Sequence, residues 1–330
     1  MSSPNPTIYD VAKAAGVSIA TVSRVLNYPR KVNATTRAAV MQAIDALGYI
    51  PKAESRARAL METRRIGVII PFFTVPSFVQ RLRGIAAVLN KNDYEMVIYP
   101  VDSRSREKSY LETLPIRKTL DGLIIVSQVF DESVSHRLIE NRMEAVLIEF
   151  FEQNFSTLEI DDATGGYMAA NYLINKGHRR LAFIGGKEHP EFGVDPIVKR
   201  MQGFQKAVKE AGLQVHEDHT YEYVYDPGQM LRNWIAQDSN PLAIFAATDL
   251  QAIALIREAR VMGLKVPEDL AIIGFDNIDM AEYFGLTTVH QPLDESGKIA
   301  ANLLISRLMD PSQSIQHIQL PLKIIERETA

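Results

Sequence analysis

The sequence predicts a small all-α headpiece followed by an α/β core made of two similar, Rossmann-like halves. Three observations carry that expectation. The stretch TIYDVAKAAGVSIATVSRVLN, residues 7–27, has the apolar spacing and central glycine of a helix-turn-helix. From residue 66 the pattern changes to short apolar runs alternating with amphipathic stretches, as in βαβ units on a parallel sheet. The chain is 330 residues long, more than one hydrophobic core usually organises.

In the headpiece, Thr7 caps a first helix and Asp10, three positions on, reaches back to the cap's amide as in a capping box. Ile8, Val11, Ala12 and Ala15 recur at helical spacing and form the buried stripe. Gly16 supplies a turn residue that tolerates left-handed backbone. Ser18 caps a second helix, on which Val22, Val25 and Leu26 point inward. At about 100° per residue, Ala20 and Arg24 fall on the opposite face one turn apart, and Ile19 lies at the edge of the apolar stripe. Arg24 has the fork that matches guanine N7 and O6, and Ala20 is small enough to approach a thymine methyl. The spacing by itself fits equally a two-helix packing unit with a solvated arginine. A third helix is expected over residues 34–47, with Val40, Ile44 and Leu47 inward and Gly48 as its stop signal.

Charge separates the two parts of the chain. Residues 1–65 hold ten Lys and Arg against four acids, whereas the remaining 265 hold 26 against 36, so the total of −4 conceals a basic end on an acidic body. That asymmetry is the electrostatic footprint of a nucleic-acid headpiece. Arg30, Thr36 and Arg37 are candidate phosphate contacts. Pro51 ends the headpiece, and KAESRARALMETRR, residues 52–65, forms a linker.

In the core, strands are expected at residues 66–70, 95–99, 122–126 and 145–149, with helices around 78–89, 110–120 and 134–141 between them. A second series begins near residue 161, with a helix through 168–174 and strands at 181–184, 221–224, 243–246 and 271–275. Helices at 201–211, 230–235 and 252–262 separate them. Two open α/β halves imply a ligand cleft at the carboxyl ends of their strands.

Residues 7–27, followed by TRAAVMQAIDALGYIP, resemble nearly residue for residue the headpiece of the lactose-repressor/galactose-repressor family of bacterial transcription regulators. The similarity continues in family order through RRIGVIIP, LDGLIIVS, YLINKGHRRLAFIGG, ATDLQAIAL and VPEDLAIIGFDN. The resemblance implies a headpiece at 1–51, a hinge linker at 52–65 and a periplasmic-binding-protein-like core of type I at 66–330. Its N-lobe would be about 66–160 plus 292–320, and its C-lobe about 161–291 plus 321–330, with a helix over 293–309 and three crossings between lobes. It implies a homodimer or tetramer on a double-stranded DNA operator, and a sugar, sugar acid or sugar phosphate as effector. The DNA-contacting residues it implies are Thr7, Ser18, Ile19, Ala20, Thr21, Ser23, Arg24, Asn27 and Thr36, with Arg56 and Arg58 in the linker. Here the chain departs from the family. The position of the leucine that wedges into the minor groove holds Arg58, Lys52 stands where an asparagine is expected, and Leu60 comes two residues too late. Either the hinge shifts register, or Arg56 and Arg58 read a narrow groove electrostatically, or the segment is a flexible cationic linker.

The same resemblance implies effector contacts at Arg200, three residues before Gly203, and at Asp276, which ends AIIGFD. Asp249 ends FAATD after Thr248, which replaces a common asparagine; Glu149 stands where an aspartate is frequent; Tyr223 aligns with a stacking aromatic. Gln291 at the last crossover and Phe73 after the first strand complete the set. For the acids, the alternative is capping a neighbouring helix or pairing with an arginine. The apolar run at Pro71, Phe72, Phe73 and Phe78 keeps open a constitutive DNA binder with a closed cleft, and an isolated sugar-binding protein is a further alternative.

An enzyme is not expected, because no GxGxxG, GxxxxGKS, HExxH or GxSxG occurs; the glycine pairs 165–166 and 185–186 read as turns or close-packing sites, and His178 reads as a surface turn residue. The absence of cysteine excludes thiolate catalysis, thiolate metal sites and disulfides, and no cofactor is expected. No apolar run reaches the roughly 18 residues that span a bilayer, and MSSPNP lacks the features of an export signal, so the cytoplasm is the expected compartment and no membrane partner is expected.

Overall fold

The computed structural model describes residues 6–27, 32–47, 49, 63–185, 193–213, 220–221, 227–237 and 241–330. Contacts divide the chain into one unit up to Thr63 and a second from Arg64 to Ala330.

The first unit contains α1 (Ile8–Ala14), α2 (Ile19–Asn27) and α3 (Ala34–Leu47). The Asp10 carboxylate accepts from the Thr7 amide at 2.8 Å and the Thr7 hydroxyl at 2.6 Å, so the capping-box carboxylate returns to the residue that starts α1. Gly16 has φ +63° in the turn, a conformation that needs no side chain. The Ser18 hydroxyl accepts from the Thr21 amide at 3.2 Å and starts α2. Val11, Ala12, Val22, Val25, Val40 and Ala43 close one core, with Ile44 packed against it. Leu47 is 37% exposed rather than inward: Ala43, one turn earlier, takes the inner face of α3.

The second unit holds two six-stranded sheets. The first runs β11-β5-β4-β3-β1-β2, with β1 at Arg65–Pro71, β2 at Glu95–Val101, β3 at Gly122–Val126, β4 at Glu144–Ile148, β5 at Ser156–Glu159 and β11 at His317–Gln319. The second runs β12-β10-β9-β8-β6-β7, with β6 at Leu181–Ile184, β7 at Thr220–Tyr221, β8 at Leu242–Ala246, β9 at Leu270–Asp276, β10 at Thr287–His290 and β12 at Lys323–Ile325. All pairings are parallel except β10 with β12. Ile66, Val68, Ile69 and Ile70 of β1 are fully buried, as are Ala271, Ile272 and Ile273 of β9. Strands covered on both faces need such unbroken apolar runs, which is why the sequence announces them.

Helices α4 (Pro76–Lys91), α5 (Arg104–Arg117) and α6 (Glu132–Glu140) flank the first sheet; α7 (Asp162–Asn175), α8 (Pro196–Glu210), α9 (Pro227–Gln237), α10 (Asp249–Val261) and the short α11 (Asp279–Tyr283) belong to the second series. Helix α12 (Leu293–Met309) crosses back and packs on α4 and against β3 and β4. Among the described residues, no helix is long and apolar enough to cross a membrane.

Four strands and the five-residue α11 escape the sequence reading. β5 and β10 are short and rich in Ser and Thr, and β11 and β12 are three-residue strands bounding the sheets, so none carries an apolar run. Helix α5 starts at Arg104, six residues before its expected start, because its first turns are polar and only the Ser103 cap marks them. Of the expected strand at 221–224, Tyr221 lies in β7 and residues 222–224 lie outside the described residues.

Glycine sets one helix spacing that matters for the cleft. A Cβ on Gly166 of α7 would lie 1.9 Å from the Arg200 carbonyl oxygen, and one on Gly203 of α8 would lie 1.8 Å from the Ala163 carbonyl oxygen. The two helices therefore touch backbone to backbone, which brings Arg200 against Asp162. Gly203→Ala should push them apart and cost about 1–3 kcal/mol. A lowered urea midpoint for the variant is the expected result.

Candidate functional site

The headpiece offers a helical face. On α2, Ala20 and Arg24 are exposed and Ile19 is 40% exposed, while Thr21 and Ser23 are half-buried beside the core residues Val22 and Val25. Asn27 is the last residue of α2. Ile19 lies outside the buried stripe, so the outer surface of α2 begins at its first residue. At the start of α3 the Asn33 side-chain oxygen accepts from the Thr36 amide at 2.8 Å, which holds Thr36 on the first turn, and Arg37 follows it, exposed. Arg30, Arg56 and Arg58 lie outside the described residues, as does Tyr223.

In the second unit, a cleft opens between the two sheets at the carboxyl ends of their strands. Its lining brings together Glu149, Arg200, Thr248, Asp276 and Gln291 of the expected set. To these it adds Arg81, Ser127 and Asp195 as polar groups, and Phe72, Phe78, Val194 and Ile197 as apolar ones. Phe73 is 40% exposed and is not part of the lining; its neighbour Phe72 faces inward instead, with its ring centroid 6.3 Å from that of Phe78.

Asp249 is also outside the lining. It is fully buried under the turn after β9, accepting from the Ile278 amide at 2.8 Å and the Thr288 hydroxyl at 2.5 Å. Its role is to hold that turn, while Thr248 caps α10 by accepting from the Gln251 amide at 3.4 Å.

Four of the nine described non-glycine residues with positive φ line this cleft. Phe72, Ser127, Glu149 and Asp276 have φ of +42°, +53°, +68° and +118°, each where β1, β3, β4 or β9 ends. Non-glycine residues adopt such angles at a cost that surrounding structure must offset, and they cluster at binding sites.

Two buried arginines organise the charge. Arg200 donates from Nε to Asp162 at 2.8 Å and from Nη1 to the Ala247 carbonyl at 2.7 Å, lies 3.8 Å from the Asp276 carboxylate, and stacks 3.6 Å over the Phe275 ring. Burial alone would lower its pKa, but the Asp162 and Asp276 charges outweigh that and hold it above the ordinary value. The Gln291 amide donates to Asp276 at 2.5 Å. In the first lobe, Arg81 donates from Nη2 to Glu149 at 2.6 Å and from Nε to the Ser296 hydroxyl at 3.1 Å, and the Ser127 hydroxyl donates to the other oxygen of Glu149. Burial would raise the Glu149 carboxyl, yet the Arg81 guanidinium and the Ser127 hydroxyl hold it below its ordinary range.

The lobes touch at the cleft's margins. The Val194 amide donates to the Ser127 carbonyl at 3.2 Å, the Asp279 amide donates to the Gln80 side chain at 2.8 Å, and Arg83 bridges Asp279 and Asp294, each at 2.6 Å. Arg81 and Ser127 were invisible to sequence reasoning. Arg81 sits mid-helix beside Arg83 in RLRG and only burial separates the two, while Ser127 owes its place to the strand-end turn.

Known proteins share this organisation. Residues 7–52 match the model for bacterial regulatory proteins of the lacI family, and residues 170–330 match that for a periplasmic binding protein-like domain. The HTH-type transcriptional repressor PurR of Photorhabdus laumondii is 33% identical over 98% of this chain and 96% of its own length. Among solved structures, a LacI family transcriptional regulator from Enterococcus faecalis with bound ribose is 30% identical, with a TM-score of 0.68 over 80% of this chain and 98% of that one. A complex of the transcriptional regulator CelR with cellobiose is 28% identical, also with a TM-score of 0.68, over 98% of this chain and all of that one.

Burial and the neighbouring Asp276 charge push the Asp249 carboxyl from its ordinary value of 3.8 up to about 8. Its folded value being the higher one, the folded chain keeps this proton while the unfolded chain releases it as pH rises through the interval, so this group's contribution to stability declines across that window. Asp249→Asn should flatten the decline. Urea midpoints of both proteins between about pH 5 and pH 8 measure it.

Proposed function

The chain belongs to the lacI family of bacterial regulatory proteins, and from that premise we propose a repressor that binds a palindromic operator as a homodimer and is controlled by a sugar-like effector in the interlobe cleft. The observation that carries the DNA side is the outer face of α2. Ala20 and Arg24 stand exposed one turn apart, opposite Val22 and Val25, within a segment of strong positive charge. A helix presented in this way suits the major groove, where Arg24 can donate to a guanine and Ala20 lies against a thymine methyl. Ser18, Thr21, Ser23, Asn27 and Thr36 suit phosphate contacts, as does Thr7 at the start of α1.

The cleft supports effector control. Its charged side chains pair with one another, Arg81 with Glu149 and Arg200 with Asp162, and such mutually satisfied groups suit ligand binding. Ribose and cellobiose, the ligands of the two related regulators, are polyhydroxylated compounds of the kind this mixture of carboxylates, an amide and phenyl rings can hold. The polar lining favours this reading over a constitutive DNA binder, because Phe72 and Phe78 share the cleft with Arg81, Ser127, Glu149, Arg200 and Asp276. An effector that favours one degree of lobe closure shifts the balance between DNA-competent and DNA-incompetent states, with a coupling of about 1–3 kcal/mol. The cytoplasm, where DNA is accessible, is the compartment this function requires.

Fluorescence anisotropy of the full chain on its own upstream DNA tests both halves. Arg24→Ala should cost about 1–3 kcal/mol at one operator position and relax base preference there; uniform weakening on every sequence would reduce Arg24 to a phosphate contact. Asp276→Asn should keep operator affinity and abolish the response to the effector. An unchanged effector titration would remove Asp276 from the site.

A further inference from the structure

The cleft lining carries two guanidiniums, Arg81 and Arg200, against three carboxylates, Glu149, Asp195 and Asp276. Each guanidinium charge is already offset by a carboxylate of the protein. Arg200 is held by Asp162, the Ala247 carbonyl and the Phe275 ring, and Arg81 by Glu149 and Ser296. Both side chains are only 4% exposed. We propose that the Arg81–Glu149 ion pair is a charge filter that fits the cleft to an uncharged polyhydroxylated effector and turns away the acid or phosphate of the same sugar. This rests on the reading of the cleft as the effector site.

The physical basis is the difficulty of leaving a buried charge unpaired. A sugar phosphate or uronate that bonded to the remaining N–H groups of Arg81 would share that cation with Glu149 and lie close to its negative charge, and displacing Glu149 would leave that carboxylate buried with the Ser127 hydroxyl as its donor. Without displacing it, the anion would face Glu149 and Asp276 directly, and like charges at close range are strongly unfavourable in a poorly solvated cleft. A neutral hydroxyl meets neither penalty. Carboxylates accept several hydrogen bonds each, so Glu149 and Asp276 can receive sugar hydroxyls while keeping Arg81, Ser127 and Gln291. The apolar side of the lining, Phe72, Phe78 and Val194, suits the C–H face of the ring. Arg81 cannot easily swing towards an anion, because its Nε bond to Ser296 ties it to α12.

Isothermal titration of the full chain with matched probes tests this: D-glucose beside glucose 6-phosphate and glucuronate, D-galactose beside galacturonate, and D-ribose beside ribose 5-phosphate. The neutral member of any pair that binds should bind at least about tenfold tighter than its anion. Glu149→Gln, which removes the paired negative charge and keeps the side-chain shape, should narrow or invert that ratio. If that variant fails to fold, the wild-type ratio still decides the charge preference, and Arg81→Gln, which leaves Glu149 without its cation, should widen it. An acid or phosphate that binds wild type as tightly as its neutral partner overturns the filter and leaves the effector reading standing. A wild-type preference for the neutral sugar that Glu149→Gln leaves unchanged also overturns the role of the pair. Failure of every probe to bind, with operator binding intact, overturns the filter together with the sugar-effector reading.

Discussion

A buried guanidinium cannot be left without a negative partner, and this chain buries two of them facing one cleft. Arg81 and Arg200 are each almost fully withdrawn from water, so each requires a carboxylate at hydrogen-bond distance: Glu149 for the first and Asp162 for the second. Much of the local architecture serves that requirement. Gly166 and Gly203 let α7 and α8 approach closely enough for Arg200 to reach Asp162, and the ends of β4 and β9 adopt left-handed backbone where Glu149 and Asp276 face the cleft. Removal of one partner would leave an uncompensated charge, so the pairs behave as units rather than as independent contacts.

These pairs also link the elements that form the cleft. Arg81 on α4 reaches Glu149 at the end of β4 and Ser296 on α12; Asp276 at the end of β9 receives Gln291 from the segment that crosses back to the first lobe. The margins hold by a backbone bond from Val194 to Ser127 and by the bridge from Arg83 to Asp279 and Asp294. The marginal ion pairs are well exposed and each contributes little stability. A few weak interlobe contacts beside a firmly built site are what a conformational equilibrium of modest energy requires.

The parts of the molecule that the sequence announces are those where a single residue's environment follows from its neighbours in the chain. Fully buried parallel strands such as β1 and β9 need continuous apolar runs, and Thr7, Asp10, Gly16 and Ser18 act within one turn of each other, so both were legible. β10 and β12 were not, because Thr287, Thr288 and the residues around Lys323 acquire their surroundings only once the crossing segments return to the second sheet. The cleft divides in the same way. Arg200 and Asp276 lie in motifs the sequence makes plain, whereas Arg81 differs from Arg83 only by which side of α4 faces inward. Asp249 occupies a position where the family resemblance implies a ligand contact, and Gly274 and the turn at Ile278 enclose it outside the cleft lining. Between Phe72 and Phe73 the choice depended on one left-handed backbone angle, at Phe72, that periodicity does not encode.

The central claim is that DNA on the headpiece and a ligand in the cleft share one conformational equilibrium, and linkage makes that claim testable from either side. The most direct measurement is the affinity of the full chain for a cleft-binding sugar, determined by calorimetry with and without saturating operator DNA. The account predicts that operator changes the sugar's dissociation constant by the same factor by which the sugar changes that of the operator, on the order of 5–150-fold. Identical sugar affinities in the two titrations, with operator demonstrably bound, would contradict it.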